Sequence, residues 1–284
     1  MLLLSAVHRI YHQQFRRWFG IMAPASLLGG IILLLADQRV RAIFNGIPGN
    51  GLAIHFLDIF AAGAIRFGGF FLSWLLGAFA LAAVATAVNE LDHEDEGASW
   101  RRDSYQRARE RFGSILLIAV TSFAAFLLGV VAFGFVEAAA YKILGHSRFL
   151  HYSYALSLTV YVCVASLVSW LGASIPLALA GDTAWIALKR SVELSSGYEG
   201  ALLLLVIESV VGSLFAWYLV VHGLSYLLPP VLIYSSWYGW VLNIVAVLAS
   251  AATEPPLFIG FALLANSDRL QTPNVVTVAQ VSDF

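Results

Sequence analysis

The chain has 284 residues, of which 60% are hydrophobic and 12% charged, and its mean hydropathy is +0.81. Soluble domains carry about 25% charged residues, so this composition excludes a soluble enzyme, a disordered chain and a secreted disulfide scaffold. The formal net charge of −1 offers no basic field for nucleic acid, and the single cysteine, Cys163, excludes an intrachain disulfide and a cysteine-based zinc cluster.

A membrane-crossing helix needs about 20 mostly apolar residues. Six stretches qualify, at about 18–36, 67–89, 113–136, 152–180, 201–228 and 238–265. None alternates as a barrel strand does, and helices satisfy their own backbone in hydrocarbon. The expectation is one all-α membrane domain over 1–284: a polytopic integral membrane protein with six transmembrane helices. The basic lead before residue 18 is longer than that of a signal peptide, so the first stretch reads as an uncleaved span.

Six spans put both termini on one side. That side would hold Arg9, Arg16, Arg17, Arg101, Arg102, Arg107, Arg109, Arg111, Lys189, Arg190 and Arg269; the other would hold Arg39, Arg41, Arg66, Lys142 and Arg148. Basic residues gather on the cytoplasmic face, which predicts both termini inside, in a bacterial inner membrane. The acidic run Glu90, Asp92, Glu94, Asp95, Glu96 counts for little in that rule.

Amphipathic stretches precede the odd-numbered spans, at 5–18 (SAVHRIYHQQFRRW), 103–112 (DSYQRARERF) and 182–197 (DTAWIALKRSVELSSG). They read as interfacial helices. Their bases Arg16, Arg17, Arg107, Arg109, Arg111, Lys189 and Arg190 are candidates for contact with anionic lipid head groups. Arg16-Arg17-Trp18-Phe19-Gly20 beside Arg109-Glu110-Arg111-Phe112-Gly113 suggests a repeated unit of interfacial helix plus hairpin. On the outer side, residues 45–51 (NGIPGNG) form a loop and 51–66 another interfacial helix. Pro229-Pro230 closes the fifth span, and Trp237, Tyr238 and Trp240 make an aromatic belt at the sixth.

The lead-in LLSAVHRIYHQQFRRWFGIM, the stretch SYQRARERFGSILL, the signature ALKRSVELSSGYEGALLLL and the closing ANSDRLQT together resemble a family of bacterial six-helix proteins. These are the membrane-domain-like proteins named after the glycerophosphoryl diester phosphodiesterases that carry such a domain. The signature residues are Ala187, Arg190, Ser191, Glu193, Leu194 and Gly197; the ending is Asp268, Arg269 and Leu270 in altered order. The resemblance implies the fold. Phosphodiesterase chemistry belongs to a separate soluble barrel, for which this chain has no room.

Two carboxylates interrupt apolar spans: Glu208 in LLLLVIESVVG and Glu254 in SAATEPPLFIG. An ionisable group in the bilayer costs about 2.5–3.5 kcal/mol on insertion scales, so both are candidates for ligand or ion binding. Pro255-Pro256 breaks the helix beside Glu254, as in transporters with discontinuous helices. The competing reading is two protonated carboxyls bonded to neighbours such as Ser209, Thr253 or Asn243. Arg66, near Asp58 and His55, reads as a snorkelling base. His222 reads as a packing residue. His8 and His12 share a helix face but lack further zinc ligands. No phosphate loop, dinucleotide fingerprint or nucleophile elbow is present. Ser174, Gly68, Gly69 and Gly77 suit close helix packing, and Pro176 bends the fourth span.

The first functional expectation is a non-catalytic role in membrane or envelope homeostasis, exerted through lipids or a membrane-protein partner, with no metal, cofactor or nucleic acid. The alternative is a secondary carrier for a small solute or lipid using Glu208 and Glu254. An intramembrane enzyme is a third reading, without a recognisable nucleophile.

Overall fold

The computed structural model describes residues 2–45, 52–91, 99–227 and 236–271, and all of its regular structure there is helical. The predicted acidic run at 92–96, Pro229-Pro230 and most of the 45–51 loop lie outside the described residues, as do the side chains of Trp237 and Tyr238. The elements are α1 (Leu2–Gln13), α2 (Phe15–Asn45), α3 (Leu52–Asn89), α4 (Ser99–Glu110), α5 (Phe112–Leu171), α6 (Ser174–Leu179), α7 (Ala184–Ser195), α8 (Glu199–Leu227), α9 (Ser236–Thr253) and α10 (Pro255–Gln271).

Among the described residues five segments are long and apolar enough to cross a membrane: Phe15–Ile43, Phe60–Asn89, Phe112–Ile143, Glu199–Val220 and Trp240–Ser267. The chain is a polytopic membrane protein. Of the predicted fourth span at 152–180, the side chains of 152–162 and 164 lie outside the described residues, and the described remainder includes the apolar stretch Ala165–Leu179. The most apolar part of the α3 segment is 56% buried and that of the α8 segment 18%, so α3 is central and α8 peripheral. Leu128, Phe135 and Ile143 of α5 and Leu214 and Phe215 of α8 stand exposed. On a water-soluble protein such a surface would be an aggregation site; against lipid tails it is the ordinary exterior.

Two predicted boundaries disappear. The outer interfacial helix at 51–66 is continuous with the second span as α3, because that join contains glycines but no proline. The third and fourth spans are likewise joined in α5, where EAAAYKIL favours helix although Lys142, His146 and Arg148 make the stretch polar. Straight, 60 residues would reach about 90 Å at 1.5 Å per residue. Yet Ile118 and Ser122 near its start line the same cavity as Leu167 and Leu171 near its end, so the two ends of α5 lie side by side.

The break after α5 is closely capped. The last four carbonyls of a helix have no partner within it. Here Val168 O accepts from the Gly172 N–H at 2.9 Å, and Ser169 O from Ser195 Oγ at 2.9 Å. Trp170 O accepts from Ser191 Oγ at 2.6 Å and Leu171 O from Ser174 Oγ. Ser191 and Ser195 lie one turn apart on α7, so its polar stripe is the cap of α5. Ser174, expected as a packing residue, is buried and serves as a cap. Pro176 falls in the first turn of α6, where its missing N–H costs nothing. Gly181, at φ 116°, turns the chain into α7, and Arg190 Nη1 closes that turn on Asp182 Oδ2 at 2.8 Å.

The short helices α1, α4 and α7 precede α2, α5 and α8, and each packs onto the bundle. Trp18 is fully buried and its Nε1 donates to Ile10 O at 3.1 Å, fixing the bend between α1 and α2. Tyr105 of α4 donates to Ile21 O at 2.7 Å, and burial pushes its phenol up to about 12. Small residues permit close helix approach at other points. Gly69 faces Ala36 and Gly30 faces Val247, whereas Gly68 and Gly77 have no described neighbour near a Cβ position and are not packing sites.

Gly172 is the tightest of these sites. A Cβ there would stand 2.1–2.3 Å from ring carbons of the buried Phe261. We expect Gly172→Ala to destabilise the fold by about 1–3 kcal/mol through overpacking, and Phe261→Leu to recover part of that loss in the double variant. Gly77→Ala should be neutral. Thermal unfolding in detergent checks this; equal midpoints for Gly172→Ala and wild type would refute it.

Candidate functional site

A half-open cavity of about 530 Å³ lies between the helices of the bundle. Residues of α2, α3, both ends of α5, α6, α8, α9 and α10 line it. Its walls are mainly apolar, and four hydroxyls punctuate them: Ser26, Ser73, Ser122 and Ser209. Trp74 also faces it, with Nε1 donating to Ser122 Oγ at 3.1 Å. Ser122 Oγ in turn donates to Ala119 O at 3.1 Å, so this pair is held in place.

Among the described residues Glu254 brings the one carboxylate to the lining. It stands alone between the end of α9 at Thr253 and the start of α10 at Pro255, in the middle of the Trp240–Ser267 segment. The next two residues explain the break. Pro255 and Pro256 have no N–H, so the carbonyls of Ala251 and Ala252 lose their helical donors. Leu257 N–H bonds to Glu254 O at 3.1 Å and starts the next helix. Tyr11 supplies the missing donor to Ala252 O, at 2.6 Å, from α1. Thr253 Oγ1 meets Ser213 Oγ of α8 at 2.8 Å, where Gly212 allows α8 and α9 to approach. Among the described residues no ion pair engages Glu254.

Glu208 lies elsewhere. It is not among the residues that line the cavity; its neighbour Ser209, about 100° further round α8, is. The Glu208 side chain is 48% exposed, and its Oε2 lies 3.3 Å from His8 Nε2 of α1. The two carboxylates, alike in sequence context, therefore do different work: one faces an internal space and one fastens α1 to the bundle. Tyr11 lies between these roles. Burial, with the nearby Glu208 charge adding, raises its phenol above the ordinary value, which keeps it a hydroxyl donor.

The basic candidates divide in the same way. Arg107 pairs with Glu90 of the α3 end at 2.7 Å, and Arg190 with Asp182. Arg17 is half-buried, with Nη1 on Gln14 Oε1 at 3.3 Å and its guanidinium over the Trp18 ring. Lys189 is 3.9 Å from Glu193, and both are largely exposed. Arg16, Arg109 and Arg111 are exposed and free to meet head groups. Arg66, expected as a snorkelling base, approaches Asp37 at 3.7 Å, and Asp37 also holds Arg41 at 2.8 Å. His222 lies against Tyr218, ring centroids 4.1 Å apart. Among the described residues no group of three or more His, Cys, Asp or Glu could hold a metal ion.

The residues alone gave no functional expectation for Tyr11, Asp37, Trp74, Ser26, Ser73 or Ser122, and for Ser209 only that of a hydrogen-bond neighbour of the carboxyls. A signal existed for the serines, since Ser26, Ser73 and Ser122 each interrupt an apolar helix. Nothing local marked Tyr11 as a partner for residue 252. Comparison with protein-family models, curated proteins and solved structures found no match. The resemblance to the phosphodiesterase-associated membrane domain thus rests on the quoted residues alone.

The Tyr11 bond crosses from α1 to the break and satisfies a carbonyl that no other described donor reaches. Leaving such a group unpaired costs about 1–3 kcal/mol, whereas a half-exposed pair like His8–Glu208 contributes about 0–1 kcal/mol. Tyr11→Phe should therefore speed amide exchange in α1 and lower the unfolding midpoint more than Glu208→Gln does. The reverse ranking would show that the ion pair, not the hydroxyl, holds α1 down.

Proposed function

We propose that this protein is a secondary carrier for a small amphiphilic solute, with the internal cavity as its binding site and Glu254 as the binding carboxylate. One observation carries the reading: an acidic side chain at a broken helix lines a roomy, mostly apolar space near the middle of a membrane-crossing segment. Broken helices free backbone and side-chain groups at mid-membrane for a solute or a coupling ion. A scaffold that acts only on lipids or on a partner has no use for such a space. Glu208 is placed outside the binding step, as an anchor of α1. The proposal assigns no covalent chemistry to the chain and includes the six-helix plan of the family it resembles.

The site is proposed to work in a bacterial inner membrane with both termini inside. Arginine distribution supports this orientation. Two contacts are consistent with these ends sharing one side: Tyr105 with Ile21, and Asn266 Nδ2 with Asn89 Oδ1 at 2.6 Å. In a Cys163→Ser background, a cysteine at position 147 should react with an impermeant reagent from outside and a cysteine at position 5 should not. Labelling of position 5 from outside would reverse the orientation.

The transport reading is tested in vesicles loaded with a pH-sensitive dye and presented with a panel of cationic, neutral and anionic amphiphiles. Wild type should couple entry of at least one of them to proton flux. Glu254→Gln should abolish the coupling, and Glu208→Gln should retain most of it. Coupling that survives Glu254→Gln, or no flux with any member of the panel, would remove the proposal.

A further inference from the structure

The chemistry of the cavity selects among solutes. Among the described residues Glu254 is the only titratable side chain in its lining, and no described Lys, Arg or His faces it. A carboxylate with no partner in an apolar surround is costly, and a positive occupant relieves that cost. At about 530 Å³ the space is far larger than an inorganic ion needs and falls within the range of drug-sized ligand pockets, about 300–1,000 Å³. Phe70, Trp74, Phe258 and Phe261 all contribute to the wall. The indole N–H of Trp74 is already committed to Ser122, so what Trp74 offers an occupant is its ring. Aromatic faces attract cations, and more strongly out of water.

Resting on the carrier reading, we infer that the occupant is a lipophilic organic monocation, a protonated or quaternary amine or an equivalent onium ion. Its charge stands against Glu254 and its body against the aromatic and aliphatic wall. The cavity serines are the polar contacts left for hydroxyl or ether groups on such a molecule. An anionic amphiphile of the same shape meets one unopposed negative charge and no donor stronger than a serine hydroxyl.

The test is equilibrium binding to the full chain in lipid nanodiscs, with protein-free discs measuring partition into lipid. Tetraphenylphosphonium and tetraphenylborate are nearly the same size and opposite in charge. Tetraphenylphosphonium should bind saturably at one site, at least tenfold more tightly than tetraphenylborate after the lipid background is removed. Glu254→Gln should weaken it at least tenfold, about 1.4 kcal/mol. Gly77→Leu keeps Glu254 but projects a side chain into the open space beside Gly77, and should weaken it too. Equal affinity for the two ions, or undiminished binding in either variant, would overturn the inference. The ion comparison on wild type decides even if a variant fails to fold. Onium binding without coupled flux would leave this inference standing and remove the carrier reading; coupled flux of other solutes without onium binding would do the opposite.

Discussion

A backbone carbonyl inside hydrocarbon must find a donor within the protein, because no water is at hand to supply one. Two helix breaks, after Leu171 and around Glu254, answer that constraint in different ways. At the break after Leu171 the answer is complete: Gly172 N–H and three serine hydroxyls meet four successive carbonyls. At the break around Glu254 the prolines withdraw two donors and Tyr11 returns one of them. The first joint is closed structure. The second keeps a polar character, and the cavity lies between the two, lined by Leu171 and Gly172 at the first and by Glu254 and Leu257 at the second.

This difference explains the placement of the short helices. The serines of α7 belong to the α5 cap, so α7 is fixed by the carbonyls it satisfies rather than by its amphipathic pattern. α1 is fixed by Tyr11 at the second break, by Val7 buried near Gly260, and by His8 beside Glu208. Gly260 matters because a Cβ there would stand 2.6 Å from Leu205 Cδ1, so only a bare backbone lets α10 sit this close to α8. The amphipathic lead is therefore a strut across the broken helix, and its exposed arginines are what remains for the lipid surface.

Much of this was readable from the residues. The apolar runs named the class, and Pro255-Pro256 beside Glu254 marked the break before any coordinates. The continuity of α3 and α5 was not readable, because polarity at Arg66 suggests a separate interfacial helix and polarity at Lys142 an end to the span, while helix propensity continues unbroken. Nor was the division between Glu208 and Glu254. In a helix that is apolar all round, the period of the sequence does not say which face meets protein and which meets lipid. One residue of helical phase sends Ser209 into the cavity and Glu208 to α1, and only the packing of α8 against its neighbours sets that phase. The same holds for Arg107, whose partner Glu90 is not a helical neighbour but lies on another element.

The two carboxylates then face different energetic problems. Glu208 is also near the middle of its segment, but its side chain is half-exposed and has an imidazole at 3.3 Å. Either protonation state of His8 offers it a hydrogen bond, so it is tolerable without any ligand. Glu254 is at mid-segment, with two prolines where the first N–H donors of α10 would be. A helix N-terminus ordinarily stabilises a carboxylate through those donors, and here they are absent. A group so deprived must take a proton or a cation from the space it faces. Exchange of one for the other is the elementary event of proton-coupled cation transport. In the proposed carrier that exchange falls to Glu254, which faces the cavity, and not to Glu208, which faces His8.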